Sequence, residues 1–349
     1  MGKYRVIQWA TGTLGSETLR RVIEDPACEL VGVYTYTADK VGKDAGELCG
    51  LPATGITATG VVEEILALDA DVVLHLPKLE TVSKNSDSEV IALLESGKNV
   101  ISSRGYQFPR AHGAEYERQF VEAGRKGNST LFGTGIEPGF IYDTLAGTIS
   151  GMCARIDRIH LTQWFDLNSR PANTVFNVCL IGRDPAGIDE TLPFAHTVGE
   201  LYREEFSLIA AYLGTELTSF AVKVRALPAP EDVTIANGGP GVKGEVVRKD
   251  TSWAIVVEMA SETASGQQIT CDMRWFVSPV PGWLDHDAYG IEIIGEPNLK
   301  LTFEYEDKWQ ARHDPFHTMV GAHLVNIIPK VVEAQAGVLH LVPHTAKRH

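Results

Sequence analysis

The sequence has few cysteines and no close cysteine pair. Its five cysteines, Cys28, Cys49, Cys153, Cys179 and Cys271, stand singly, whereas zinc sites and redox motifs place two of them a few residues apart. An odd, dispersed set is typical of a reducing compartment. The distribution therefore argues against a disulfide framework and against a thiolate metal site.

Long apolar runs are also missing. No stretch approaches the roughly 18–20 uncharged residues that cross a bilayer. The first residues pass directly into an apolar run without the regions of a secretory signal. Both observations predict a cytoplasmic protein without a membrane partner.

The chain is short of positive charge. There are 31 Lys and Arg residues against 45 Asp and Glu, which gives a formal net charge of -14. A surface that acidic repels phosphate backbones and argues against nucleic acid as a main partner. A small anion can still bind, because a helix N-terminus attracts it locally. With 44% hydrophobic and 22% charged residues among 349, the composition predicts a globular chain of about two domains.

Short apolar runs alternate with amphipathic stretches in the first part of the chain, a pattern that predicts parallel strands joined by helices. The predicted strands cover residues 4–10, 29–36, 72–76, 99–103 and 130–133, and the predicted helices cover 14–24, 61–68, 88–96 and 113–125. We therefore expect the α/β class, with a doubly wound parallel sheet in residues 1–150.

From about residue 155 the apolar runs become longer and partly alternating. The predicted strands 156–165, 242–247, 251–260, 267–276 and 299–305 are typical of a mostly antiparallel sheet in an α+β domain, with turns at 227–230 and 237–241. A last apolar helix, 317–334, is expected to return to the first domain. The expected domains are thus 1–150 completed by 315–349, and 151–314.

A glycine-containing turn follows the first predicted strand and leads directly into the first helix. It matches the dinucleotide-binding fingerprint with Ala10 at the first glycine position. Gly12 lets the backbone approach a pyrophosphate, and Gly15 lets the helix pack closely on the strand. The alternative is an ordinary strand-to-helix turn. The predicted cofactor-binding residues of the turn are Ala10, Thr11, Gly12, Thr13, Leu14 and Gly15.

The tip of the second predicted strand carries no carboxylate. An NAD site usually has Asp or Glu there to bind the ribose 2′-hydroxyl, whereas a 2′-phosphate prefers hydroxyls and a cation. Here Thr37 and Lys40 follow the strand, and Asp39 lies beyond the expected place. We predict NADP as the cofactor, bound by Thr37 and Lys40, with NAD as the alternative.

Four segments carry a family resemblance: residues 4–15 (YRVIQWATGTLG), 42–50 (GKDAGELCG), 133–140 (GTGIEPGF, followed by Asp143) and 321–329 (GAHLVNIIP). They resemble the dihydrodipicolinate reductase-like oxidoreductases, most closely the diaminopentanoate dehydrogenases and native amine dehydrogenases. The resemblance implies a Rossmann domain, an α+β domain for substrate and dimer contacts, and hydride transfer between NAD(P)H and an imine or carbonyl carbon.

Two departures from this group bear on the chemistry. The His-His and Lys motif of true dihydrodipicolinate reductases is missing, which argues against a role in lysine biosynthesis. The amine dehydrogenases are expected to have an acidic residue after the strand predicted at 99–103, where residues 102–109 of this chain read SSRGYQFP. Amine chemistry and carbonyl chemistry therefore both stay open.

Hydride transfer needs an oriented nicotinamide and one group that polarises or protonates the accepting heteroatom. In an open α/β sheet this chemistry takes place at the carboxyl ends of the strands. The sequence places four further cofactor-binding candidates there: Leu76, Pro77, Ser103 and Gly135.

Tyr106 and Glu137 are the catalytic candidates. Tyr106 can donate its phenolic proton to a carbonyl oxygen, and Arg104 can lower the pKa of that phenol or bind an acidic substrate. Packing of the loop is the alternative role for Tyr106. Glu137 is the nearest carboxylate that can replace the missing acid, and Asp143 is a second choice that can instead cap its own helix.

The second domain and the histidines give weaker candidates, because irregularly spaced aromatic residues are more often core. The candidates for a substrate pocket are Trp164, Phe165, Asn168, Phe176, His196 and Tyr202. His313, His317 and His323 resemble a metal pattern, but Pro315 interrupts it. The segment 285–287 is typical of a solvated turn, and we predict no metal site.

The resulting expectation is a cytoplasmic, NADP(H)-preferring enzyme that forms an amine from a ketone and ammonia, or catalyses the reverse reaction. The alternatives are a ketone/alcohol oxidoreductase with Tyr106 as the acid, and a non-catalytic NADP(H) sensor. The expected partners are a small-molecule substrate and a second copy of the chain in a homodimer.

Overall fold

The computed structural model describes residues 2–77, 86–168, 170, 172–236, 244–305 and 315–340. The described chain divides into two compact units. The first contains the residues up to 140 together with 315–340, and the second contains 141–305. This division lies at 140/141, whereas the boundary that we expect from the sequence is at 150.

The described residues form strands, α-helices and a few short helical turns, numbered here along the whole chain. The strands are β1 (Tyr4–Trp9), β2 (Cys28–Tyr34), β3 (Ala58–Thr59), β4 (Val72–His75), β5 (Asn99–Ser102), β6 (Thr130–Gly133), β7 (Arg155–Asp166), β8 (Leu217–Pro228), β9 (Val233–Thr234), β10 (Val246–Val247), β11 (Ser252–Thr263), β12 (Gln268–Phe276), β13 (Ala288–Glu296), β14 (Leu299–Glu304) and β15 (Gly337–Val338).

The α-helices are α1 (Thr13–Glu24), α2 (Ala45–Cys49), α3 (Val62–Ala67), α4 (Ser86–Glu95), α5 (Ala114–Gly127), α6 (Ala146–Ser150), α7 (Pro193–Tyr212), α8 (Pro315–Asn326) and α9 (Ile328–Val332). The short turns are 3₁₀ at Ala38–Lys40, Pro109–His112 and Pro185–Gly187, and π-helical at Ile141–Leu145 and Asn173–Val178. Within the described ranges, no helix is long and apolar enough to cross a membrane.

The first unit is built on a parallel sheet of seven strands in the order β15-β6-β5-β4-β1-β2-β3. One apolar cluster joins Ile7 of β1 to Val90 of α4 and Phe120 of α5, and a second joins Val33 of β2 to Leu19 of α1. Because β1 has β2 on one side and β4 on the other, a crevice opens at its carboxyl end. This arrangement confirms the predicted doubly wound, Rossmann-type sheet.

Helix α1 lies very close to β1. A Cβ added at Gly15 would lie 2.3 Å from the carbonyl oxygen of Ala10, so only glycine permits this approach. Helix α8 packs on α1 in turn, because a Cβ at Gly321 would lie 3.4 Å from the Cα of Thr18. Helix α1 is thereby packed on two sides, against β1 through Gly15 and against α8 through Thr18.

The second unit contains a six-stranded sheet in the order β14-β13-β7-β12-β11-β8. Its strand pairs are antiparallel except for β12 and β7, which run parallel. The 20-residue helix α7 buries an apolar side that includes Tyr202, Phe206 and Ile209. The predicted α+β unit with a mostly antiparallel sheet is confirmed.

Several elements differ from the sequence-based expectation. The apolar helix predicted at 317–334 is two helices, because Pro329 has no N–H to continue the hydrogen-bond ladder. The turn predicted at 227–230 overlaps β8, which ends at Pro228; an edge strand tolerates proline. The turn predicted at 237–241 lies outside the described residues, and of the strand predicted at 242–247 the structure shows β10.

We predict that Gly15→Ala lowers the free energy of unfolding by about 2–3 kcal/mol, because the added methyl group must displace backbone. Gly12→Ala is the matched control, since a Cβ there meets nothing within 4 Å and the φ angle of -68° suits alanine. Urea unfolding of both variants measures the difference. Equal stability of the two variants would contradict the close approach of α1 to β1.

Candidate active site

A cavity of about 590 Å³ lies at the carboxyl ends of β1, β2 and β4. Its walls come from the turn between β1 and α1, from the residues that follow β2, and from the end of β4. The described residues that line it are Ala10, Thr11, Gly12, Thr13, Ser16, Thr35, Tyr36, Thr37, Lys40 and Leu76.

The turn holds its first residue in an unusual backbone conformation. Ala10 has a φ angle of 74°, the left-handed region that favours glycine and that costs other residues about 1 kcal/mol or more. Neighbouring groups fix it there: the Ala10 N–H donates to the Tyr34 carbonyl at 2.9 Å, and Gln8 Nε2 donates to the Ala10 carbonyl at 2.9 Å. Ala10 thus takes the geometry of the first fingerprint glycine.

The structure brings most of the predicted cofactor-binding residues together. Ala10, Thr11, Gly12, Thr13, Thr37, Lys40 and Leu76 line the cavity. Leu14 and Gly15 lie in the first turn of α1, where Gly15 packs against β1. Pro77, Ser103 and Gly135 follow the ends of β4, β5 and β6 and do not line this cavity.

Hydroxyl groups and one cation border the cavity beside the end of β2. The Thr11 and Thr35 hydroxyls are hydrogen-bonded at 3.1 Å, and the Thr37 N–H donates to the Thr35 hydroxyl at 3.3 Å. The Lys40 ammonium donates to the Thr11 carbonyl. No carboxylate is among the described lining residues, so this end of the cavity suits an anionic group.

A chain of polar contacts supports the wall of the cavity. Trp9 Nε1 donates to the Tyr36 hydroxyl at 2.8 Å, and that hydroxyl donates to Glu89 at 2.6 Å. Glu89 also lies 3.7 Å from Nε2 of His75, a fully buried residue of β4. Burial, together with the bond to Glu89, raises the pKa of Tyr36, so the phenol stays neutral. Sequence reasoning missed this chain, because its members are far apart and carry no motif.

Tyr106 lies in the hydrophobic core of the first unit and not at the cavity. Its side chain is 3% exposed and packs edge-on against Phe120 at 5.2 Å. Its hydroxyl donates to Asp87 at 2.7 Å, and the Tyr116 hydroxyl donates to the same oxygen at 3.0 Å. These contacts are those of the loop-packing role, which was the alternative to catalysis for Tyr106.

Glu137 follows β6 in a tight loop. Gly135 and Gly139 approach so closely that a Cβ at Gly139 would lie 2.4 Å from the Gly135 nitrogen, and the Phe140 N–H donates to the Gly135 carbonyl at 3.0 Å. The Oε1 atom of Glu137 has almost no exposed surface. Burial raises the pKa of this carboxyl to about 8, so it exchanges its proton near neutral pH.

His323 of α8 contacts the same loop region, although sequence reasoning assigned it only to a weak metal pattern. Its Nε2 lies 2.9 Å from the Thr134 hydroxyl, and its ring packs on Phe140 at 5.2 Å. Burial lowers the pKa of His323 to about 4, so the ring is neutral at physiological pH. The GAHLVNIIP segment was the available signal. His317 lies six residues away on the helix, and His313 lies outside the described residues.

The other candidates take ordinary structural roles. Asp143 is 4% exposed, accepts a hydrogen bond from the Thr144 hydroxyl at 2.7 Å, and has a pKa that burial raises to about 6. Asp285 pairs with His286 at 3.0 Å in an exposed position, as a solvated turn would.

The candidates for a substrate pocket in the second unit lie on several different elements. Tyr202 is buried in α7, His196 is exposed on the same helix, and Asn168 accepts a hydrogen bond from the Ala236 N–H at 2.7 Å. Trp164 and Phe165 are half-buried on β7, each beneath an arginine, and Phe176 is half-buried in a π-helical turn.

The chain matches proteins of known activity. The family model "Dihydrodipicolinate reductase, N-terminus" matches residues 6–104. An amine dehydrogenase of Streptomyces virginiae is 26% identical over 342 residues, which cover 95% of this chain and 93% of that protein. A 2,4-diaminopentanoate dehydrogenase of Acetoanaerobium sticklandii is 25% identical over 168 residues, 46% of this chain and 45% of that protein.

The fold is similar to that of a solved amine dehydrogenase from Mycobacterium smegmatis. The TM-score is 0.75 at 20% identity, and the match covers 99% of this chain and 96% of that chain. The Rossmann-type sheet, the cavity at its first turn and these relatives together define the class: the chain is an NAD(P)-dependent oxidoreductase. Within that class, its resemblance to the dihydrodipicolinate reductase-like group that includes these amine dehydrogenases is confirmed.

We predict that Glu137→Gln stabilises the protein selectively at alkaline pH. The folded protein keeps the Glu137 proton up to a pKa of about 8, whereas the unfolded chain loses it near the ordinary value of 4.5. Between these values the folded state binds more protons, so the free energy of unfolding of the unmodified protein falls as the pH rises. We expect the advantage of the variant to grow by about 1–3 kcal/mol between about pH 6 and pH 9.

Thermal unfolding at the two pH values measures this advantage. Glu95→Gln serves as the control, because Glu95 forms a surface ion pair with Lys126 at 2.8 Å. If the Tm difference between Glu137→Gln and the unmodified protein did not change with pH, the raised pKa would be wrong.

Proposed function

We propose that the protein is an NADP(H)-preferring oxidoreductase that transfers hydride to or from a C=N carbon of a small molecule. In its amine dehydrogenase form it converts a ketone, ammonium and NADPH into an amine, NADP⁺ and water, or catalyses the reverse. The observation that carries this proposal is Glu137, a buried carboxyl group beyond β6 with a pKa of about 8. The relative named as an amine dehydrogenase, which matches 95% of the chain, supports the choice of reaction.

The residues of the first unit fit a dinucleotide. The N–H groups at the start of α1 and the open space above Gly12 suit a pyrophosphate, and a Cβ at Gly12 would meet nothing within 4 Å. Lys40 and Thr37 suit a 2′-phosphate. When bound, the reduced nicotinamide supplies the hydride. The carboxyl ends of β4, β5 and β6 would hold its ring, with Leu76 at the cavity wall.

Glu137 moves the proton in this proposal. In the direction of amine formation its ionised form takes a proton from the incoming ammonium, which frees the nitrogen to attack the ketone carbon. In its protonated form it returns a proton to the oxygen that leaves as water. A pKa of about 8 makes both forms accessible near neutral pH.

Carbonyl reduction is the second candidate, and the residues after β5 favour it. Arg104 stands in the segment where the resemblance leads us to expect an acid, and a guanidinium repels ammonium. The reaction would then convert a ketone, NADPH and a proton into an alcohol and NADP⁺, with protonated Glu137 as the acid. The homodimer and the cytoplasmic location belong to the same proposal; the resemblance supports the homodimer, and the dispersed cysteines support a reducing compartment.

The two reactions have opposite pH dependence. Amine formation needs ionised Glu137, so its rate is expected to rise through about pH 8, whereas carbonyl reduction needs protonated Glu137, so its rate is expected to fall there. NADPH oxidation with a panel of ketones, with and without ammonium, measures both. We expect Glu137→Gln to lower kcat by about 10²–10⁴ and to remove this inflection. Unchanged kcat in that variant, with Glu95→Gln as the control, would exclude Glu137 from proton transfer.

The cofactor preference is expected to depend on Lys40. A lost charge-assisted contact with a 2′-phosphate costs about 1.5–3 kcal/mol, so Lys40→Ala should raise the KM for NADPH about 10–100-fold and leave the KM for NADH within about threefold. Lys43→Ala is the matched control, because Lys43 pairs with Glu47 at 3.3 Å and does not line the cavity. Equal effects of Lys40→Ala on the two cofactors would contradict NADP preference.

A further inference from the structure

Arg104 is a cation at the carboxyl edge of the parallel sheet that has no counter-charge among the residues that the structure describes. It lies two residues beyond the end of β5, and its side chain is half-buried. Its Nε donates to the Pro77 carbonyl at 2.6 Å. Within the described part of the chain, no carboxylate lies within ion-pair distance of Arg104, and Nη1 and Nη2 form no hydrogen bond there.

The bond to Pro77 fixes the direction of the guanidinium. With Nε used by a carbonyl oxygen, the two terminal nitrogens remain as a planar pair of donors, the geometry that binds a carboxylate through two parallel hydrogen bonds. Ser102 supports the same turn, because its hydroxyl accepts the Arg104 N–H at 3.2 Å and lies 3.1 Å from Nδ1 of His75. The arginine is therefore positioned by β4 and β5 together.

An unpaired cation in this position is costly. Burial lowers the pKa of Arg104, and no carboxylate in the described part of the chain opposes that effect. A structural arginine normally gains a carboxylate partner. Arg110, in the 3₁₀ turn that follows, pairs in this way with Glu117 of α5. The lack of such a partner for Arg104 among the described residues is best explained by a ligand that brings the negative charge.

Arg104 lies apart from the residues that suit the phosphate groups of the cofactor. The start of α1 and Lys40 serve the anionic parts of the cofactor at β1 and β2, whereas Arg104 lies at β4 and β5. Pro77, its carbonyl partner, directly follows Leu76 of the cavity wall. A group bound at Arg104 thus lies beside the cofactor cavity on the side of β5.

We propose that Arg104 binds the carboxylate of the substrate, so that the enzyme acts on small carbonyl compounds that carry an acid group and on the corresponding amines or alcohols. This inference rests on the proposed hydride transfer and names the substrate class for it. The net charge of -14 strengthens the need for such a residue, because the acidic protein repels anions over most of its surface.

The test compares a keto acid with its methyl ester, which lacks the negative charge and carries one additional methyl group. The unmodified protein is expected to prefer the keto acid by about 100-fold in kcat/KM. Arg104→Met should lower kcat/KM for the keto acid about 10²–10³-fold and leave that for the ester within about threefold. Arg104→Lys should restore part of the loss, because it keeps the charge without the planar pair of donors. Arg110→Met is the control, because Arg110 is exposed and forms an ion pair with Glu117.

Turnover of the ester measures hydride transfer that does not depend on binding of a carboxylate by Arg104. It therefore distinguishes failure of this inference from failure of the proposed function. Equal kcat/KM values for acid and ester in the unmodified protein would overturn the inference. A rise in the KM for NADPH in Arg104→Met with both substrates would instead assign Arg104 to the cofactor. If neither substrate reacts, the Tm shift on titration with the keto acid decides: it must depend on Arg104 and be absent with the ester.

Discussion

Removal of water from the carboxyl edge of the parallel sheet determines the chemistry available to this protein. The same cause acts on three groups of the first unit: burial raises the pKa of Glu137 and lowers the pKa values of Arg104 and His323. In each case the low-polarity surroundings disfavour the charged form. A carboxyl group that is protonated at neutral pH and a guanidinium therefore follow β6 and β5 at one edge of the sheet, and a neutral imidazole on α8 contacts the loop after β6.

The backbone at the start of α1 shapes the turn at that edge of the sheet. Gly15 lets α1 approach β1 until a side chain no longer fits, and Ala10 accepts a left-handed φ angle of 74° to complete the turn. The hydrogen bonds from Gln8 and to Tyr34 hold Ala10 in place. The surrounding strands hold this turn in its strained backbone conformation. Such strain is expected where a ligand binds close to the backbone.

The sequence predicted the first unit well, because parallel strands that are buried on both faces appear as short apolar runs, and the fingerprint turn has a fixed spacing. It could not predict β8 or the long helix α7. β8 is an edge strand with mostly exposed or half-buried side chains, and α7 has an apolar side too broad to show a clear period. The contacts of Tyr106 with Asp87 and of His323 with Thr134 join residues far apart in the chain. No local pattern encodes such contacts.

The end of β8 has a consequence for how copies of this chain can associate. β8 is an outer strand of its sheet, and it exposes Lys223 and Arg225 before it ends at Pro228, which has no N–H to donate. Charged residues and proline on an outer strand oppose the addition of a further strand from another molecule. Growth of the sheet into fibres is thereby disfavoured at this edge, and backbone pairing of two copies is expected to use a different strand.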